Sequence, residues 1–199
     1  MILWWANLSG PTALPGNYKV RLTVNGNSQT QDFTILKDPR TTATAQEMKE
    51  QFDFVKSVCD KLTQTHEAII NIREVRKQLN DYTARVKSDS LMKPLLTKAK
   101  NIDSLMTIIE ETLYQTKNKS GQDPLNFPIR LNNKLAHLNA LTSYGYAPPT
   151  DQAIAVKNEI SDAINEQLDK VKVIFEKDVP EFNRMVKELE ADVIILSKP

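Results

Sequence analysis

From Asn17 to Val24 apolar and polar positions alternate. Tyr18, Val20, Leu22 and Val24 are apolar, with Lys19, Arg21 and Thr23 between them. A period of two predicts a strand with one apolar face. Asn25-Gly26 then supplies the positive φ angles of a tight turn, and the returning segment carries Phe33 and Ile35. A turn of two or four residues sets both on the face of Val20 and Leu22. The pattern therefore predicts a β-hairpin over 17–37. An isolated hairpin is marginal in water. Its apolar face is expected to lie on the rest of the chain, pair with a second copy, or be covered by Trp4, Trp5 and Leu8. Its outer edges are expected to lack strand partners.

Beyond Arg40 the spacing changes to threes and fours. Met48, Phe52, Val55, Cys59, Leu62, His66 and Ile69, then Ile72, Val75 and Leu79, form one stripe and predict a helix over 44–82. Thr44 and Glu47 stand at capping-box spacing at its start. A second stripe runs Met92, Leu95, Ala99, Ile102, Met106, Ile109, Leu113 and predicts a helix over 90–118. Pro94 is tolerated only in a first turn, which sets the start near Asp89 or Ser90. Leu131, Leu135, Leu138 and Leu141 predict a shorter helix over 129–144, closed by Tyr144-Gly145-Tyr146-Ala147-Pro148-Pro149. Thr150 or Asp151 caps a third long helix with Ala153, Val156, Ile160, Ile164, Leu168, Val171 and Phe175 inward. Asp178 is expected to cap a last one starting near Pro180, with Phe182, Val186 and Leu189 inward.

The fold class is therefore mainly α: an up-and-down helical bundle preceded by a small antiparallel β-hairpin. Phe52, Leu62, Ile102, Ile109, Ile164 and Leu168 are expected to share its core. Glycine and proline divide the chain at Asp38-Pro39-Arg40, since the residue before proline favours an extended link. This gives a hairpin segment, 1–40, and a helical bundle, 41–199.

Charge narrows the function. The 199 residues hold 26 Lys+Arg against 25 Asp+Glu, a net charge of +1, so no field draws the chain to nucleic acid or an anionic membrane. The run Met1-Ile2-Leu3-Trp4-Trp5 is too short for a signal core or a span, as is Val193-Ile194-Ile195-Leu196. Neither an export signal nor membrane insertion is expected. One cysteine rules out an internal disulfide and any Cys-rich zinc site.

Candidate chemistry is sparse. His66-Glu67 lacks the second histidine of a zinc-protease motif, because position 70 is Ile. His66, His137 and Cys59 are expected to be structural, with Cys59 and His66 largely buried. Seven residues of helix, about 10 Å of rise, keep Cys59 and His66 from pairing. Glu110-Glu111 and Glu188/Glu190 read as solvated faces. Arg73, Arg76, Lys77 and Arg85 cluster, but Glu74, Asp81 and Asp89 interrupt them. No metal, cofactor or catalytic constellation is expected.

Several stretches taken together carry a resemblance. They are Leu14-Pro15-Gly16-Asn17-Tyr18-Lys19-Val20-Arg21-Leu22-Thr23-Val24, Lys37-Asp38-Pro39-Arg40, His66-Glu67-Ala68-Ile69 with Ile72-Arg73, the segment from Leu125-Asn126-Phe127-Pro128-Ile129 to Leu131-Asn132-Asn133-Lys134-Leu135, and Asp178-Val179-Pro180-Glu181-Phe182-Asn183. The chain resembles, over nearly its whole length, the C-terminal region of large bacterial proteins with sortilin-type BNR/Asp-box propeller repeats, commonly labelled glycosyl hydrolases. The resemblance implies a propeller first, then a β-sandwich-like module ending at the "DPR" link, then a helical region. This chain matches the last strands and the helical region only, and no catalytic residue of that family has a counterpart here. It implies a non-catalytic accessory module of such a protein. The partner would be the upstream propeller or β-sandwich domain, or another copy of the chain through the 17–37 hairpin, and the setting the periplasm or cell surface. The alternatives are a free-standing helical interaction or oligomerisation module and, more remotely, a hydrolase in its own right.

Overall fold

The computed structural model describes residues 1–6, 8–142 and 145–189. Two strands, β1 (Gly16–Val24) and β2 (Asn27–Ile35), precede five helices: α1 (Ala45–Val86), α2 (Lys93–Leu113), α3 (Leu131–Thr142), α4 (Asp151–Val173) and α5 (Val179–Glu188). The fold is mainly α with an N-terminal antiparallel hairpin, as the two periodicities predict.

The helices stand in three columns. The first is α1, 42 residues and about 63 Å long at helical rise. It starts with a complete capping box: Thr44 Oγ1 accepts from Glu47 N at 3.2 Å, and Thr44 N donates to Glu47 Oε2 at 2.7 Å. These bonds hold the Glu47 carboxyl below its ordinary pKa. Thr44→Ala is expected to cost about 1 kcal/mol. The midpoint of a thermal melt should then fall by about 2–4 °C; an unchanged melt would show that the box contributes nothing.

The second column stacks α2 and α3 end to end, both antiparallel to α1. Arg73 and Arg76 of α1 meet Glu110 and Asp103 of α2, while His66, Cys59 and Gln51 meet Asn132, Asn139 and Thr142. Partner numbers rise as those of α1 fall, which fixes the direction. The third column is continuous from α4 into α5 and parallel to α1, with Lys61 beside Asn165 and Tyr82 edge-on to Phe182. The bundle is thus up-and-down, as expected, with its five helices arranged in three columns.

The last junction corrects the expected N-cap at Asp178. Asp178 is itself helical and makes no capping bond. Instead the chain widens into a π turn, Ile174–Asp178, and runs on through Pro180. Proline cannot donate to the ladder and its ring crowds the preceding turn, and the wider turn relieves that clash. Asp178 and Glu181 both accept from Lys98 Nζ, at 2.7 and 2.5 Å, which ties this turn to α2.

Other boundaries shift less. The helix expected over 90–118 begins with a single 3₁₀ turn, Ser90–Met92, capped by Asp89, and ends at Leu113. Tyr144, expected to help end the short helix, lies outside the described residues. There Gln51 takes the role of a cap, its Nε2 donating to the carbonyls of Thr142 and Gly145.

The core holds Leu62, Ile69, Ile72, Ile102, Met106, Ile109, Leu113, Leu135 and Ile164 among its buried residues, with Leu168 packed at its edge. Phe52, expected in the core, is only half-buried; Phe54 takes that place. Leu141 and Val156, expected inward, are exposed. At helix ends the partner column no longer covers every stripe position.

Candidate functional site

The hairpin is the most unusual surface of the molecule. Asn25 and Gly26 have φ angles of 49° and 82°, so the two-residue turn is type I′ and its twist matches that of the strands. The register places Tyr18 opposite Phe33 and Gly16 opposite Ile35, with Val20 and Leu22 facing Gln31 and Gln29. Every large apolar side chain of the two strands therefore lies on one face. The Tyr18 and Phe33 rings are 5.8 Å apart at its base. On the other face Thr23 and Ser28 hydroxyls bond at 2.7 Å, Thr34 Oγ1 donates to Asn17 Oδ1 at 2.9 Å, and Lys19 lies 3.7 Å from Asp32.

The apolar face is open. Val20, Leu22, Val24 and Phe33 are 54%, 66%, 56% and 44% exposed. The helices do not cover it, and neither do Trp4, Trp5 or Leu8. Of the three expected covers, the two within the chain are thus corrected, and pairing with a second copy is left. The first residues go to the helices instead, where Leu3 and Ala6 pack at the rim of the core.

The edges are open too, since the sheet has two strands among the described residues. In a two-residue hairpin the pair beside the turn is hydrogen-bonded, so the alternate residues aim their backbone groups outward. On β1 these are Asn17, Lys19, Arg21 and Thr23; on β2, Ser28, Thr30, Asp32 and Thr34. The β1 edge is cationic, and Arg21 has no acidic partner among the described residues.

The candidate chemical groups fall elsewhere. His66 is half-buried, and its Nε2 lies 3.3 Å from Asn132 Nδ2. An amide nitrogen donates, so the ring accepts there in its neutral form. Burial, with a smaller push from the positive N-terminus, holds its pKa below the ordinary value near 6.5. Folding therefore favours neutral His66: its contribution is complete above pH 6.5 and is lost as pH falls below it, where the unfolded chain takes up the proton first. His66→Gln is expected to flatten that part of the stability–pH curve. Equal slopes for both proteins between pH 6.5 and 5 in urea titrations would refute this.

Cys59 is half-buried, not largely buried, as is His66. Its thiol donates to Ser9 O at 3.7 Å, and burial raises its pKa, the opposite of what a nucleophile needs. His137 Nε2 donates to Trp4 O at 2.7 Å.

Glu110 departs most from expectation. It is 3% exposed, not solvated, and accepts from Arg73 Nε at 2.6 Å and Arg76 Nη1 at 2.8 Å. Arg76 also reaches Asp103 at 2.7 Å, while Lys77 pairs with Asp81 and Arg85 stacks over the Tyr82 ring. The basic cluster is thus taken up by ion pairs and a ring rather than offered to a phosphate. Glu111 is exposed as expected, and Glu190 lies outside the described residues. No group of three His, Cys, Asp or Glu residues suited to a metal occurs among the described residues. No helix among them is long and apolar enough to cross a membrane.

Compared with protein-family models, with curated proteins and with solved structures, the chain matches none. The functional reading therefore rests on its own surfaces. The residues that pattern analysis missed are buried amides: Gln51, Asn132, Asn133 and Asn139. Asparagines at core positions of an otherwise apolar helix were the available signal, since such groups stay buried only when hydrogen-bonded.

Proposed function

We propose that this chain is a non-catalytic accessory module that docks on a β-rich partner domain through its hairpin. The open apolar face of Val20, Leu22, Val24 and Phe33, beside two strand edges without a strand partner among the described residues, carries this reading. A face of that kind is stable in water when another sheet covers it, and an open edge adds a strand by main-chain hydrogen bonds. The β1 edge suits a strand with acidic residues opposite Lys19 and Arg21. The resemblance to the C-terminal region of Asp-box repeat proteins supports the same arrangement, with the module packed beside an upstream β-sandwich or propeller.

The test mixes this chain with an Asp-box propeller–sandwich protein lacking its own helical C-terminal region. A 1:1 complex is expected by gel filtration with light scattering, and it should be lost in Leu22→Glu. The helices do not rest on the hairpin, so this substitution should leave the helical melting transition within about 0.5 kcal/mol of the parent. No complex, or one that Leu22→Glu leaves intact, would refute docking through the hairpin. A homodimer abolished by the same substitution would favour the free-standing oligomerisation module instead.

A further inference from the structure

The first residues of the chain are held as a ligand is held. They form neither strand nor helix, yet side chains of the bundle grip their main chain at four places. Ile2 N donates to Tyr114 Oη at 2.9 Å. Trp4 N donates to Asn133 Oδ1 at 2.7 Å, and Asn133 Nδ2 donates back to Trp4 O at 2.9 Å. His137 Nε2 adds a second donor to that carbonyl. Asn139 Nδ2 donates to Ser9 O at 2.8 Å.

Asn133 and Asn139 are almost fully buried, on a helix that has no need of them for its own ladder. A side-chain amide that both accepts from and donates to one residue of a peptide reads its backbone, as a neighbouring strand would. Leu3 and Ala6 supply the apolar contact with the core rim. Trp5 points away: it is 80% exposed, on a backbone held at a φ of 51°. The link onward, Gly10 to Pro15, is irregular, and the hairpin it leads to is exposed along both strands. Covalent attachment thus adds effective concentration to this contact but no shape.

We propose that the surface formed by α3 with Cys59 and Tyr114 is a peptide-binding site. Its ligand is a short, non-helical apolar segment read through its main chain at the Asn133 position, and Ile2, Leu3, Trp4, Ala6 and Ser9 fill it in this chain. The site needs no bond between ligand and bundle, so the segment exchanges for the same sequence supplied in trans. This is independent of what the hairpin docks on.

The only two tryptophans of the chain are Trp4 and Trp5, so tryptophan emission reports this segment alone. A protease site is inserted between Thr12 and Ala13 of the full chain, and the folded protein is then cut. The fragment is expected to stay with the bundle in concentrated solution and to leave on dilution with a saturable midpoint. An excess of synthetic peptide 1–10 should displace it. The same peptide carrying Leu3→Asp should not, while one carrying Trp5→Ala should compete as well as the parent. Asn133→Ala should weaken binding about tenfold, the loss of one well-made hydrogen-bond pair. Loss of the fragment on cutting, with helical circular dichroism unchanged and no rebinding of peptide up to about 1 mM, would overturn the proposal, since short linkers supply concentrations of that order. Melting of the helices on cutting would overturn it too, because the segment would then be part of the core. In the uncut chain, Asn133→Ala should shift Trp emission to the red and raise its quenching by acrylamide while the helices persist; unchanged emission would count against the site.

Discussion

Ile102→Ala is expected to lower stability by about 3–4 kcal/mol, the cost of emptying a fully enclosed aliphatic site. Ile102 is completely buried in the cluster that holds Ile69, Ile72 and Met106. Its three columns meet around long side chains that cannot all shift to fill a void. The melting midpoint should fall by about 10 °C in a chain of this size. Ile108, on the same helix, is exposed, and Ile108→Ala should stay within about 0.5 kcal/mol. Urea unfolding of the two variants decides the matter. Similar losses at the two positions would mean that the α2 seam does not face the core as described.

Removing a partner from the Glu110 site is the second large effect expected. Two elements meet there: Arg73 and Arg76 from α1, and Glu110 from α2, whose carboxylate is shut away from water. A buried ion pair is worth little against an apolar pair of the same shape, but breaking one leaves a desolvated charge. Arg76→Met should cost about 3 kcal/mol, because Glu110 keeps only the more exposed Arg73 and Asp103 loses its partner as well. Glu110→Ala should cost less, about 2 kcal/mol, since the guanidinium of Arg73 reaches solvent and Arg76 keeps Asp103. The double variant should fall at least 1 kcal/mol short of the sum. Strict additivity in urea unfolding would show that the pair does not interact in the folded protein.

The periodicities were strong enough to place the five α-helices and both strands among the described residues. Thr44 with Glu47, Thr150, and Asn25-Gly26 act over three or four residues, and their geometry follows from local chemistry alone. Asp178 reads as a cap by the same rules, yet it sits inside a continuous helix, because Lys98 of another column holds it there and a π turn absorbs Pro180. Position along a helix face also decides burial only where a neighbour stands. Leu141 fits the stripe and is exposed, whereas Gln51, a polar residue at seam spacing between Met48 and Val55, is buried against the end of α3.

What the sequence by itself determined is the set of elements and the side of each that is apolar, both of which follow from local spacing. Only the tertiary structure decided which charges meet. Glu110 lies 37 and 34 residues from its two arginines, a separation across which no period runs. It also decided where the first residues go. Asn133 and His137 lie more than 120 residues from Trp4, and their affinity for its main chain leaves no trace in the pattern of Met1 to Gly10. With that segment held on the helices, nothing in the described chain remains to cover the hairpin. Its open face is thus a consequence of packing elsewhere, which strand alternation alone could not reveal.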